Sequence, residues 1–178
     1  MSEHPEIAGT QLSHEMSSFE FTLITLFYGF SRWVEKCMEA GGPRGLGALD
    51  ILVLHAANHR ARGRSLNEIA MALNIDDTHL VGYSLKKLIA AGLVTAGREG
   101  RHRGYEATPA GDAACAAYKD VRERYLIASL RHLRDDTASV ASAGELLRIL
   151  TGMYDQAGRF ATADAAGRPA VTPVRTKR

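Results

Sequence analysis

The chain has 178 residues, of which 46% are hydrophobic and 24% charged, as expected for a globular protein of one domain or one domain with an arm. Its net charge of +2 does not by itself indicate a polyanionic partner. The longest apolar run, residues 21–30, is too short to span a bilayer. The first ten residues lack the basic start and apolar core of a signal peptide. These features exclude a membrane-spanning class and favour a cytoplasmic protein.

The N-terminal third contains a long amphipathic pattern. Residues 1–12 are polar and are expected to be flexible, and a helix is predicted from about Ser13 to Glu39. Its apolar side chains follow alternating spacings of four and three, which is the seam of a coiled coil. We therefore expect this helix to pack against a partner helix along Phe19, Leu23, Leu26, Phe30, Trp33 and Cys37.

A second helix is predicted from Leu46 to about Asn58. His55 and His59 are four residues apart, a spacing that can hold a metal on a helix, but no third ligand is evident, so a structural role is favoured. The following loop, residues 59–64, is rich in arginine. It is either a solvated turn or a phosphate contact made by Arg62 and Arg64.

Residues 65–94 have the pattern of a helix-turn-helix. Ser65 and Glu68 form a capping box at the start of its first helix. Its second helix, residues 77–91, has Asp76 or Asp77 as N-cap and ends at Gly92. One face is apolar, and the other is polar and basic, as required for entry into a DNA major groove. The outer face and its margins carry Thr78, His79, Tyr83, Lys86 and Lys87.

A β-hairpin is predicted directly after this helix. Two short extended runs bracket the glycine-flanked segment 100–104. The hairpin, residues 98–105, would form a wing, and arginine suits both phosphate contact and insertion into a minor groove. The basic side chains of this wing are Arg98, Arg101, His102 and Arg103.

Positive charge is concentrated in this part of the chain. Residues 60–103 hold eight basic and four acidic residues, a net charge of +4, whereas the remainder holds fourteen basic and sixteen acidic residues, a net charge of −2. A surface that faces phosphates requires such a concentration. We therefore predict that residues 60–103 bind double-stranded DNA.

The C-terminal third is again helical in pattern. Thr108 is the expected N-cap and Pro109 the first residue of a helix that runs to about Leu133. After a break at residues 135–139, another helix is predicted at 142–160, and residues 161–178 are expected to be a flexible basic tail. These helices have more apolar surface than a small winged helix can cover.

The order of these elements resembles that of the MarR family of winged-helix transcription regulators over residues 13–160. The resemblance is carried by Leu66-x-x-Ile69-Ala70-x-x-Leu73, by Leu88-x-x-x-Gly92-Leu93-Val94, by the wing at 100–104 and by Ala107-Thr108-Pro109-Ala110-Gly111. It implies a mainly α fold with a small β-hairpin. A winged helix-turn-helix at 46–107 would be joined to a helical dimerisation region at 13–45 and 108–160.

The resemblance further implies a homodimer that reads a pseudo-palindromic operator, with helix 77–91 in the major groove and the wing on the backbone or minor groove. DNA contacts are expected from the loop arginines, Ser65, the outer face of helix 77–91 and the wing. Dimer contacts are expected from Phe19, Leu23, Leu26, Phe30, Leu126, Leu130, Leu146, Leu150 and Met153.

Many relatives release DNA when a small molecule enters a crevice between the two regions. Trp33, Phe30, His55 and Tyr125 could line such a crevice, although core packing is favoured for them. Cys37 could sense oxidants, but its position on an apolar seam favours a buried, inert thiol. Cys37 and Cys115 have no metal-type spacing, and neither a metal site nor a cofactor is predicted.

Two other functions compete with this interpretation. A winged helix that contacts only proteins would be favoured by a smooth acidic recognition face, which Lys86, Lys87 and the wing arginines oppose. An enzyme is disfavoured because the sequence has no glycine-rich phosphate loop, no metal-ligand cluster and no nucleophile motif.

Overall fold

A computed structural model describes residues 5–59, 63–99, 102–130 and 137–167, with the backbone alone at 5–10, 98, 99, 102 and 103. The chain divides into two compact units, residues 1–128 and 129–178. The mainly α fold with one hairpin is confirmed. The elements are α1 (Pro5–Gly41), α2 (Ala48–Asn58), α3 (Leu66–Ala72), α4 (Thr78–Ala90), β1 (Val94–Glu99), β2 (His102–Ala107), α5 (Pro109–Arg122), α6 (Ala128–Leu130) and α7 (Thr137–Gly167).

The hydrophobic core of the first unit lies between the second half of α1, α2, α3, α4 and the start of β1. α2 is its centre, since it packs against α1, α3, α4 and α5. Such burial is the main stabilising term of a small domain. The side chains with almost no exposed surface are Val34, Cys37, Met38, Ile51, Val53, Leu54, Ile69, Val81, Leu85 and Leu88.

The predicted helix-turn-helix is confirmed, including its caps. The Ser65 hydroxyl accepts the Glu68 amide (3.2 Å), and the Ser65 amide donates to the Glu68 carboxylate (2.8 Å). Asn74 adopts the left-handed conformation (φ 53°), which asparagine tolerates better than most residues. Asp77 then caps α4 by accepting the His79 amide (2.9 Å). The acidic turn therefore serves to start α4.

The hairpin is antiparallel, with Val94 opposite Ala107 and Glu99 opposite His102. Its outer edge pairs with the main chain of Arg64, whose amide and carbonyl both bond Tyr105. At its base, the Thr108 hydroxyl donates to the Gly92 carbonyl (2.7 Å) and accepts the Gly111 amide (3.1 Å). One side chain thus joins the end of α4 to the start of α5.

Several predicted boundaries are wrong at the ends of the chain. α1 begins at Pro5, so residues 5–12 are helical and not loose, and proline suits a first helical turn. α7 spans Thr137–Gly167, so residues 137–139 and 161–167 are helical where a break and a tail were expected. Four alanines within 161–167 explain the extension, because alanine is the strongest helix former. Residues 1–4 and 168–178 lie outside the described part.

The helix predicted to run to about Leu133 is interrupted. α5 ends at Arg122, and a π-helical turn, Glu123–Ile127, leads into α6, which ends at Leu130. Residues 131–136 lie outside the described part. None of the described helices is both long and apolar enough to cross a membrane.

Candidate nucleic-acid interface and adjacent cavity

The outer face of α4 forms the wall of a surface hollow. The buried face of α4 consists of Val81, Ser84, Leu85 and Leu88, which places His79, Tyr83 and Lys86 on the opposite, exposed side. A hollow of about 450 Å³ lies between the start of α3, this face and Tyr105 of β2. Four of the predicted contact residues line it together: Thr78, His79, Tyr83 and Lys86.

Tyr83 and Lys86 interact with each other. They are three residues apart, hence neighbours on the helix surface. The Lys86 ammonium lies 5.5 Å from the centre of the Tyr83 ring, within reach of a cation–π attraction. The Tyr83 ring is 69% exposed. Both groups are therefore held on the outer face with their surfaces open to a ligand.

Lys87, which was also predicted to contact DNA, is engaged within the protein. Its ammonium is paired with the Asp50 carboxylate of α2, with Nζ 2.7 Å from Oδ2. The pairing follows from its position at the margin of α4, beside the face that packs on α2. Lys87 is therefore a contact between helices and is not among the residues that line the hollow; its predicted contact with DNA stays a prediction.

The residues before α3 are also engaged within the protein. Arg64 is 9% exposed because its main chain joins the hairpin edge, so it offers little surface to a phosphate. The Ser65 hydroxyl bonds the amide and carboxylate of Glu68. Arg64 thus holds the hairpin edge and Ser65 caps α3, while the DNA contacts expected of both stay predictions. Arg62 lies outside the described residues.

The predicted wing is present, but its second strand begins at His102, so residues 102–104 are strand where the tip 100–104 was expected. Arg98 is the cross-strand partner of Arg103, and Glu99 that of His102. The main chain therefore places Arg98 and Arg103 side by side near the hairpin end, while the predicted contact Arg101 lies outside the described residues.

A cavity of about 660 Å³ lies within the first unit, between α1, α2 and α5. It brings together three of the four residues expected to line a crevice, Phe30, Trp33 and His55; Tyr125 is not among its lining residues and is 57% exposed. Phe30 was also assigned to dimerisation from the sequence, as was Leu126, which lines the cavity too. The full lining is Phe30, Trp33, Leu52, His55, Asn58, Asp112, Cys115, Ala116, Tyr118, Lys119, Arg122 and Leu126.

His55 is the most unusual polar group of this cavity. Its ring stands edge-on to Tyr118, with ring centres 4.6 Å apart. Its Nε2 atom is buried and has no hydrogen-bond partner among the described residues. Burial lowers the pKa of His55, because an imidazolium is disfavoured away from water. A neutral imidazole therefore lies at the cavity with an unused polar atom.

Both cysteines are buried, which confirms the expectation for Cys37. Cys37 donates its thiol to the Tyr118 carbonyl (3.3 Å), and burial raises its pKa against the opposing influence of Arg122. Burial, together with the nearby Asp112 carboxylate, raises the pKa of Cys115 to about 11. Thiolates are the reactive form. Neither thiol is thus arranged for reaction near neutral pH.

The predicted dimer residues are mostly uncovered in the single chain. In α1, Leu26 is 54% exposed, whereas Phe19 and Leu23 are half-buried. Leu130 is exposed. Within α7, which is described along its whole length, no side chain is buried, and its exposed residues include Leu146 and Met153. Other large apolar side chains that the seam did not include are also exposed: Phe21, Ile24, Phe27, Tyr28, Ile149 and Phe160.

Comparison with known proteins gives the class of the domain that contains the helix-turn-helix and the hairpin. Residues 46–111 match the family model of a winged helix DNA-binding domain. This range begins two residues before α2 and ends in the first turn of α5, so it contains the whole helix-turn-helix and hairpin. Comparison with curated proteins gives no match.

Solved structures give the fold of the chain. A MarR family transcription regulator aligns with a TM-score of 0.64 at 15% identity, over 85% of this chain and 98% of that one. A MarR transcriptional regulator from Methanosarcina mazei Go1 gives 0.60 at 16%, over 77% and 98%. The transcriptional regulator BldR from Sulfolobus solfataricus gives 0.57 at 21%, over 77% and 95%. The chain therefore has the winged-helix fold of MarR-family transcription regulators, which confirms the resemblance.

Sequence reasoning missed several residues of these sites. Asp50 was not singled out, although Gly47-x-x-Asp50 has the same spacing as the capping box Ser65-x-x-Glu68 and was a detectable signal. The cavity residues on α5 were also missed. They recur every three or four residues, but that pattern alone does not distinguish a cavity wall from a solvated face: Asp112, Cys115, Lys119 and Arg122.

Proposed function

We propose that this chain is a cytoplasmic DNA-binding transcription regulator that acts as a homodimer. The observation that carries the proposal is the outer face of α4. It presents His79, Tyr83 and Lys86 around a hollow, inside a domain that matches winged helix DNA-binding domains. α4 contains no aspartate or glutamate, so nothing on the helix itself repels phosphate.

In this proposal α4 enters the major groove. Its 13 residues extend roughly 20 Å at about 1.5 Å per residue. Lys86 donates to a base edge or phosphate, and Tyr83 packs beside it. The hairpin follows α4 directly, so its arginines, Arg98, Arg101 and Arg103, reach the adjacent backbone or minor groove.

The homodimer is supported by the apolar surface of α1 and α7. A monomer rarely leaves so many large apolar side chains in water, and contiguous exposed apolar surface marks an interaction site. A two-fold pair would present two α4 helices to a pseudo-palindromic site with half-sites about 34 Å apart.

The cavity supports a small-molecule effector. Its volume of about 660 Å³ is in the range of ligand sites, and it combines apolar and aromatic walls with a few polar groups. The unpartnered Nε2 of His55 is one such polar group. A ligand here would contact α1, α2 and α5 together and could change how the helices pack beneath α4.

The alternative, a winged helix that binds only proteins, predicts an acidic or featureless recognition face. The face observed on α4 carries Lys86 and His79 and no carboxylate. We therefore favour DNA over a protein partner.

The test compares two lysine variants. A duplex selected by the wild-type protein from a random pool, and a mixed-sequence duplex of equal length, are titrated by fluorescence anisotropy at several salt concentrations. Lys86→Ala should weaken binding about tenfold, roughly 1.4 kcal/mol, and should reduce the slope of log affinity against log salt by about 0.9.

Lys36→Ala is the matched control. Lys36 lies on α1 and pairs with Glu39 (2.8 Å), with its side chain exposed. Its loss should leave DNA affinity unchanged. Absence of any binding by the wild-type protein at low salt would favour the protein-interaction alternative.

A further inference from the structure

The first turn of α2 contains a buried carboxylate that is bound from two sides. Asp50 is 8% exposed although it is charged. Its Oδ2 atom accepts the Gly47 amide of its own helix start (2.9 Å) and the Lys87 ammonium of α4 (2.7 Å). A charge in such a place is retained only when it is paired and hydrogen-bonded. Asp50 therefore links the start of α2 to the recognition helix.

Lys87 lies at the edge of the proposed DNA surface. It directly follows Lys86 on α4, and its side chain is still 50% exposed. Without Asp50, a flexible lysine in this position would be free to turn towards a phosphate. Exposed ion pairs contribute little, but the Asp50 side chain is only 12% exposed. Removing Lys87 would leave a mostly buried carboxylate without its counter-charge, which is costly.

The same turn of α2 is also held from α1. Glu35 on α1 accepts the Ala48 amide (3.0 Å), one of the free amides at the helix start. Two carboxylates, Glu35 and Asp50, thus cap one helix end, where negative charge is favoured. Hydrogen bonds therefore connect α1, the first turn of α2 and Lys87. A shift of α1 relative to α2 would be transmitted to α4 through these polar contacts.

The Asp50 carboxyl is ionised near neutral pH, because its pKa is lowered. Burial alone would raise the pKa of Asp50, but hydrogen bonds from Lys87, the Gly47 amide and Ser84 outweigh it and lower the pKa. Lys87 lies at the edge of the face of α4 that packs on α2, so its bond to Asp50 restricts rotation of the helix about its axis.

We propose that Asp50 is a positioning residue for DNA recognition: it fixes the rotation of α4 and withholds Lys87 from the phosphates. This inference rests on the proposed function. Asp50 itself does not touch DNA. It favours the selected sequence over other sequences, because the orientation of α4 determines which base edges Tyr83 and Lys86 meet, and because a withheld lysine does not add sequence-independent affinity.

The test uses Asp50→Asn, Lys87→Met and Lys87→Arg in the full chain, with the same selected and mixed-sequence duplexes. Asp50→Asn frees Lys87, so the salt slope on the mixed duplex should become steeper by about 0.9. The preference for the selected duplex should fall about tenfold, in line with coupling through a packed network.

The lysine variants separate positioning from phosphate contact. Lys87→Met should lose a similar share of preference but leave the salt slope unchanged, since Lys87 does not contact phosphate in the wild type. Lys87→Arg keeps the pair and should stay within about twofold of the wild-type preference. A merely structural role of Asp50 would weaken both duplexes alike and would not steepen the slope.

Three outcomes overturn the inference. One is an unchanged slope and preference in Asp50→Asn while the wild type binds normally, which leaves the proposed function intact. Another is a shallower slope in Lys87→Met, which would place Lys87 on a phosphate. The third is a wild-type protein that binds neither duplex, which overturns the proposed function as well. If Asp50→Asn does not fold by circular dichroism, the slope and preference of Lys87→Met decide.

Discussion

The winged-helix part and the long helices bury their apolar residues in different ways. Ile69, Val81 and Leu88 have no exposed surface and belong to one hydrophobic core. Within α7, no side chain is buried, and the part of α1 before Ser31 leaves Phe21 and Phe27 more than 60% exposed. A 3.6-residue apolar pattern therefore predicts a packing face in both regions. Within the single chain, only the winged helix buries that face.

Polar side chains show the same contrast. In the winged-helix unit they join distant segments, as in Lys87 to Asp50, Asn58 to Asp112 and Thr108 to Gly92. In the first half of α1 and in α7, the hydroxyl groups of residues 17, 22, 151 and 162 each bond a carbonyl four residues earlier on their own helix. Hydrogen bonds between distant segments fix the tertiary structure, whereas hydrogen bonds within one helix do not determine what that helix packs against.

Gly111→Ala should cause the largest loss of stability in the winged-helix part. A Cβ atom at this position would overlap the main-chain carbonyl oxygen of Leu93, which cannot move without separating α5 from the end of α4. Overpacking against fixed backbone should cost about 3 kcal/mol. The measurement is urea unfolding followed by circular dichroism, at one protomer concentration for all variants.

Gly97→Ala is the matched glycine control. Gly97 lies in β1, has no positive φ and has open space where its Cβ would be. Its free energy of unfolding should stay within about 0.5 kcal/mol of the wild type. Equal destabilisation by both substitutions would show that the junction between α4 and α5 is looser than described.

His55 should give a smaller, pH-dependent effect. Its folded pKa lies below the reference value of 6.5 because the ring is buried. The unfolded chain therefore binds the proton more strongly, and stability falls as pH drops below about 6.5, by at most about 1.4 kcal/mol per pH unit for one proton. His55→Gln should lose stability less steeply between pH values of about 7 and 5.

The same two proteins supply the control at higher pH. Above about pH 7.5 the imidazole is neutral in both states, so the stability difference between wild type and His55→Gln should be constant. Parallel curves over the acidic range as well would mean that the His55 environment does not disfavour the charged form.

Local structure was readable from the sequence where one or two residues determine it. The capping box of Ser65 and Glu68, the cap at Asp77, the helix end at Gly92 and the Thr108–Pro109 start all follow from short-range chemistry. The start of α1 and the end of α7 were misjudged, because polar or small residues were taken as flexible; Pro5 suits a first helical turn and the alanines of 161–167 favour the helix.

The candidate site was less predictable, because the direction of a cation depends on distant residues. Lys86 and Lys87 are identical and adjacent in the sequence, yet one lies beside Tyr83 and the other on Asp50, 37 positions away. Arg64 was expected at the surface and is buried by main-chain pairing with Tyr105. No local pattern distinguishes these cases. The cavity likewise needed α1, α2 and α5 in place before Trp33 and His55 could be seen together.

The most direct test of the contrast between the two regions is the number of protomers in the protein, both free and bound to DNA. Sedimentation velocity of the wild type should give a dimer, and two protomers per selected duplex. Leu26→Asp would put a carboxylate into the proposed interface and should weaken dimerisation at least about a hundredfold. The equally drastic Met71→Asp, on the 82% exposed Met71 of α3, should remain dimeric. A wild-type protein that stays monomeric both free and on the duplex would contradict the account.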